Sequence, residues 1–117
     1  MDDLAGDLAA VEVRLREILR PYEGRLEWAT IYGNQALRRP GAKAHDWFAF
    51  VKPASRHVSL YLMPVHTRPE LLASISPVLR QRQTGKTTFG FQIIDDAEMA
   101  ELEHLVARAF EAYIAVT

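Results

Sequence analysis

The chain has 117 residues, of which 49% are hydrophobic and 25% charged, with a formal net charge of −1 and no cysteine. That is the size of one compact domain, residues 1–117, without room for two full cores. The composition excludes a disulfide scaffold, a thiol nucleophile, a Cys-ligated zinc and an iron–sulfur cluster. No apolar run approaches the ~18 residues that span a bilayer, so no membrane partner is expected. The start Met1-Asp2-Asp3-Leu4 is acidic where an export leader is basic, which points to a cytoplasmic protein.

The small net charge conceals segregation along the chain. Residues 1–27 carry seven acids (Asp2, Asp3, Asp7, Glu12, Glu17, Glu23, Glu27) against four arginines. Residues 28–94 carry only Asp46 and Glu70 against nine Lys and Arg, and residues 95–117 carry six acids against Arg108 alone. Two acidic ends flanking a basic middle create local fields that the total hides.

Leu4, Leu8, Val11, Leu15 and Ile18 recur at spacings of four and three, one face of a helix that Pro21 and Gly24 terminate. Leu26 to Tyr32 is aromatic and β-branched and reads as a strand closed by Gly33-Asn34. Arg38 to Lys43 reads as a basic loop around Pro40-Gly41. Trp47–Lys52 and His57–Met63 are two strands of a hairpin. With Lys52 opposite His57, Val51 faces Val58, Ala49 faces Leu60 and Trp47 faces Leu62 on one aliphatic side. Phe48, Phe50 and Lys52 then share the other side with His57, Ser59 and Tyr61.

Further on, Thr67 and Glu70 suggest a capped helix carrying Leu71, Leu72 and Ile75, and Ser76-Pro77 opens another turn with Val78 and Leu79. Thr87–Ile93 is a strand with Phe89, Phe91 and Ile93 on one face. Asp95 and Glu98 form a second capping box. Behind it, Leu102, Leu105, Val106, Ala109, Phe110 and Tyr113 mark the buried stripe of a final helix. The expected fold class is α+β, an antiparallel sheet packed against N- and C-terminal helices in a two-layer sandwich.

Thr84-Gly85-Lys86-Thr87 lacks the upstream glycine of a phosphate loop, since Arg80 stands there, and a strand follows in place of a helix. Ser55, Ser59, Ser74 and Ser76 occupy no nucleophile elbow. The histidines, His45, His57, His66 and His104, show no metal-ligand spacing. An enzyme built on His45, Asp46 and His66 is the minority reading. Arg38, Arg39, Lys43, Arg80, Arg82 and Lys86 attract phosphate backbones only if they cluster; without an RNA-recognition or helix-turn-helix signature, nucleic acid is not an expected partner.

The outer hairpin face is more informative. Phe48, Phe50, Tyr61 and Met63, with Lys52 and His57 at the loop end, interleave aromatics with cations where a solvated face is normally polar. Such a face can stack bases, hold a small anionic ligand or bury a protein partner, unless residues 66–82 cover it as a second core. The expected protein is a non-catalytic binding module using Phe48, Phe50, Lys52, His57 and Tyr61.

His57-Val58-Ser59-Leu60-Tyr61-Leu62-Met63-Pro64-Val65, Pro69-Glu70-Leu71-Leu72, Ile75-Ser76-Pro77-Val78-Leu79 and Gly85-Lys86-Thr87-Thr88-Phe89-Gly90-Phe91, taken in order, resemble the YdhG-like domain family of unknown function. The resemblance covers most of residues 47–115. It implies a small bacterial cytosolic protein with a frataxin-like α+β sandwich, and iron as a candidate cargo, since some members are described as iron chaperones. Frataxin-type binding uses acids of the first helix and adjoining strand. Here those are Asp2, Asp3, Asp7, Glu12, Glu17, Glu23 and Glu27, interrupted by Arg14, Arg16, Arg20 and Arg25. No iron ligand transfers residue by residue.

Overall fold

The computed structural model describes residues 4–115. Helix α1 (Leu4–Leu19) continues into a 3-10 turn, Arg20–Tyr22, and leads to five strands: β1 (Glu27–Ile31), β2 (Asn34–Arg38), β3 (Trp47–Pro53), β4 (Val58–Leu62) and β5 (Thr88–Phe91). Between β4 and β5 lie α2 (Pro64–Thr67), a second 3-10 segment (Pro69–Ser74) and α3 (Pro77–Arg80); α4 (Asp96–Ile114) closes the chain. The strands form one antiparallel sheet in sequence order, β1-β2-β3-β4-β5. Helices α1 and α4 pack on one face, giving the α+β sandwich expected from the alternation of periods.

The helical stripes are where their periodicity puts them. Val11, Leu15 and Ile18 of α1 are buried and Leu8 packs against them, while the side chain of Leu4 lies outside the described residues. In α4, Leu102, Leu105, Val106, Ala109, Phe110 and Tyr113 are all buried. The Asp95 carboxylate accepts from Glu98 N at 2.7 Å while Glu98 Oε1 accepts from Asp95 N at 3.2 Å, a reciprocal capping box. Ser76 Oγ accepts from Leu79 N at 3.1 Å, so Ser76-Pro77 starts α3 as its chemistry suggests.

Five expectations are corrected. Asn34–Arg38 is a strand, β2, paired with β1 through the two-residue turn Tyr32-Gly33, whose φ angles are 51° and 80°. Both central residues at positive φ make a turn whose twist matches the strands it joins. Its β-poor residues Gln35, Ala36 and Leu37 offered no alternation to read.

The β3–β4 register is the second correction. Pro53 faces Val58, Lys52 faces Ser59, Val51 faces Leu60, Phe50 faces Tyr61 and Ala49 faces Leu62. Each partner is displaced by two residues from the expected pairing. A slip of two preserves the faces, so Phe50 and Tyr61 still share the outer side. The pairing runs further into the turn, with Ala54 N donating to His57 O at 2.9 Å, so His57 lies opposite Ala54 and away from Lys52.

At the start of β3 the alternation itself breaks. Leu37 pairs with Ala49 but Arg38 pairs with Trp47, so Phe48 is the extra residue of a β-bulge. The bulge puts Phe48 beside Ala49 on the helix side and turns Trp47 outward, so Phe48 and Trp47 lie on the reverse of their expected sides while Ala49 keeps its own.

Lastly, Thr67 ends α2 instead of capping the next segment, and its hydroxyl returns to Pro64 O at 3.3 Å. Strand β5 stops at Phe91. Ile93 is therefore 62% exposed, and Ile94 is buried in its place as the chain leaves the sheet for the α4 cap.

Candidate ligand-binding site

The five residues expected to form a binding face do not stay together. Phe48 is fully buried on the helix side, its ring 5.6 Å from those of Tyr22 and Phe110 and 5.5 Å from Tyr113. Phe50 and Tyr61 do meet on the outer side, stacked with centroids 4.4 Å apart and planes 8° off parallel, and Trp47 joins at 5.1 Å. Lys52 and His57 are exposed beyond this row. Buried Ile31 and Ala36, with half-buried Ala29 and Met63, complete a small outer cluster. The segment 66–82 does not cover it: α2, the second 3-10 segment and α3 pack against α4.

At one end of that cluster, Met63 also lines a cavity of about 400 Å³. Three stretches converge there: Arg39, His45 and Asp46 from the β2–β3 connection; Met63, Pro64, Thr67 and Arg68 around α2; and Ala112 and Tyr113 from the end of α4. The volume lies in the range of small-molecule sites, and the composition matches them, an apolar floor with few polar groups. Met63, Pro64, Ala112 and the Tyr113 ring are the floor. Two guanidinium groups against one carboxylate leave the lining formally positive.

Arg39 is held from several sides. Its backbone N donates to Tyr113 Oη at 2.9 Å, its Nη1 donates to Tyr113 O at 2.6 Å, and its Nη2 donates to Asp46 Oδ2. Its guanidinium also lies over the Tyr113 ring, 4.3 Å from the centroid. Tyr113 Oη in turn donates to Asp46 O at 2.7 Å. This network ties the loop before β3 to the last turns of α4 and builds one wall of the cavity. Burial pushes the Tyr113 hydroxyl up from its ordinary value, outweighing the Arg39 backbone N–H and the nearby guanidinium charges that act to lower it.

Arg68 is placed differently. It bonds Glu70 at 2.6 Å in an exposed pair, and that hydrogen bond holds the Glu70 carboxyl below its usual range. Exposed pairs contribute at most about 1 kcal/mol, so this guanidinium is available to exchange partners at the cavity rim.

Of the proposed catalytic trio, His45 and Asp46 border the cavity, whereas His66 is exposed and outside its lining. Among the acids considered for iron, Asp2 and Asp3 lie outside the described residues. Glu12 binds Arg16 at 2.8 Å, Glu27 binds Arg38 at 2.9 Å, and Asp7 borders a separate shallow cavity with Arg14. Among the described residues no three His, Asp or Glu side chains gather as a metal site, and no helix is long and apolar enough to cross a membrane. The basic residues scatter: Arg38 pairs with Glu27, Arg39 with Asp46 and Arg82 with Glu98.

In the sequence Arg39 reads as a loop cation, Arg68 as part of a helix start and Tyr113 as core. Nothing in their spacing, 39, 68 and 113, joins them, because only the tertiary fold does. No protein-family model matches the chain, and no curated protein or solved structure is significantly similar to it.

Proposed function

We propose that this protein is a non-catalytic binding module whose cavity takes a small anion with an apolar body. The observation that carries this reading is the convergence of Arg68, His45 and Thr67 over a floor of Met63, Pro64, Ala112 and Tyr113 in one cavity of about 400 Å³. The anionic group pairs with Arg68, a planar fork suited to carboxylate, once Glu70 gives way. His45 and Thr67 supply further hydrogen bonds, and the body of the ligand lies on the apolar floor. Arg39 positions the wall and is already committed to Asp46 and Tyr113.

Phenylacetate, with neutral phenylacetamide as control, tests the reading through residue-resolved amide NMR. Saturable shifts confined to residues 45–46, 63–68 and 112–113 are expected for the acid. Arg68→Met weakens that binding at least about fivefold, the scale of one charge-assisted bond. Equal binding of acid and amide, or shifts elsewhere, overturns the reading.

A further inference from the structure

The two edges of the sheet are finished differently. The β5 edge is covered, because Gly90 N donates to Arg82 O at 2.8 Å, Thr84 N donates to Thr88 O at 2.9 Å, and Gln83 bridges Phe89. The β1 edge has no such cover among the described residues; β1 pairs with β2 alone.

Which backbone groups that edge presents follows from its turn. The two-residue turn Tyr32-Gly33 makes Ile31 and Asn34 the hydrogen-bonded closing pair, and pairs alternate from there. Ala29–Ala36 is then hydrogen-bonded, whereas Thr30–Gln35 and Trp28–Leu37 are not. The N–H and C=O of Trp28 and Thr30 therefore point away from β2, toward the open edge.

Natural edges are usually blunted by Lys, Pro or a bulge. None occurs in Trp28-Ala29-Thr30-Ile31-Tyr32. The nearest charge, Glu27, is occupied by Arg38. Two large aromatics sit on this run in solvent, Trp28 at 41% and Tyr32 at 77% exposure.

We infer that the β1 edge is a self-association surface, and that a second copy of this chain pairs with it antiparallel about a two-fold axis at Ala29. In that register Trp28 faces Thr30 of the second copy and Thr30 faces its Trp28, so all four free backbone groups of each strand segment are satisfied. The pairing is self-complementary, as a two-fold interface must be. No like charges oppose, because Glu27 falls opposite Ile31. The faces also agree. Ala29 meets its symmetry mate on the outer side, joining the two Ile31–Ala36–Trp47–Phe50 clusters into one apolar strip across the axis. A foreign strand could use the same hydrogen bonds, but the symmetric match of aromatics, small residue and absent charge favours the chain itself.

Sedimentation equilibrium up to millimolar concentration, with amide hydrogen exchange at low and high concentration, tests this. A dimer is expected, with Trp28 and Thr30 amides gaining protection as it forms. Thr30→Pro removes an N–H that the monomer does not use and that an edge strand tolerates, so the fold persists by circular dichroism while the dimer is lost. Trp28→Lys, an edge charge, gives the same loss without touching the backbone. A strictly monomeric wild type, or a dimer that survives both variants with Trp28 and Thr30 unprotected, overturns the inference.

Discussion

The two faces of the sheet share the same strands and close by different means. On the helix side, Phe48, Phe89, Phe91, Leu60 and Leu62 are fully enclosed by α1 and α4. On the outer side no helix lies among the described residues, and Trp47, Phe50 and Tyr61 shield one another and the small residues beneath. The difference teaches that low exposure has two physical origins. Enclosure by other elements couples a side chain to the whole fold, whereas lateral stacking couples it only to its neighbours. The outer row can therefore vary at modest cost, and the helix side cannot.

Truncating one phenylalanine on each side sharpens that contrast most. Phe48→Ala opens a void among Tyr22, Phe110 and Tyr113 that rigid helices cannot collapse into, and is expected to cost about 4 kcal/mol in denaturant unfolding. Phe50→Ala leaves a gap bounded on one side by solvent, where Trp47 and Tyr61 can close inward, and is expected to cost about 2 kcal/mol. Equal costs would show that the outer row is as constrained as the core, and the distinction would fail.

The same pair of residues shows how far the sequence could be read. Periodicity sufficed for both long helices, for the hairpin and, from Ala49 onward, for its two faces, because burial on one side of a regular element leaves a repeat in the chain. Phe48 escaped because a bulge is one residue of excess set by the pairing of Arg38 with Trp47, a relation across the sheet with no local sign. The two-residue register offset escaped because a shift by two leaves the pattern unchanged. The cavity was invisible for a third reason. Arg39, Arg68 and Tyr113 belong to a loop, a short helical connection and a helix end, and each looks ordinary within its own element.

Tyr113 joins the enclosed face to the cavity wall, and its hydroxyl carries the next effect. Tyr113→Phe keeps the ring but strands Arg39 N–H and Asp46 C=O, at an expected cost of about 1–3 kcal/mol at neutral pH. The pH dependence has a definite sign. Burial raises the native Tyr113 hydroxyl above the ordinary value of 10.0, as it does for Tyr22. Its contribution is complete below that value and is lost as pH rises through the native one, because the unfolded chain gives up its proton first. Chemical denaturation from pH 8 to about 11 should show stability falling at the alkaline end. The slope should be shallower in Tyr113→Phe, with Tyr22 left to supply the remainder. An unchanged slope would remove Tyr113 from the set of linked groups.

The smallest effect lies at the β1–β2 turn, where neither face is at stake. Tyr32 adopts φ 51°, a conformation that crowds its Cβ, and its ring is 77% exposed, so little packing offsets the strain. Asparagine reaches this region more easily and suits the first central position of such a turn. Tyr32→Asn is therefore expected to stabilise the protein by about 0.5–1 kcal/mol, read as a higher denaturant midpoint at unchanged slope. The measurement belongs at micromolar concentration and again at high concentration. A gain that holds at both is relief of turn strain within one chain. A gain at low concentration that reverses at high concentration shows the tyrosine ring contributing to the paired edge, where Tyr32 lies beside the strand that meets its copy.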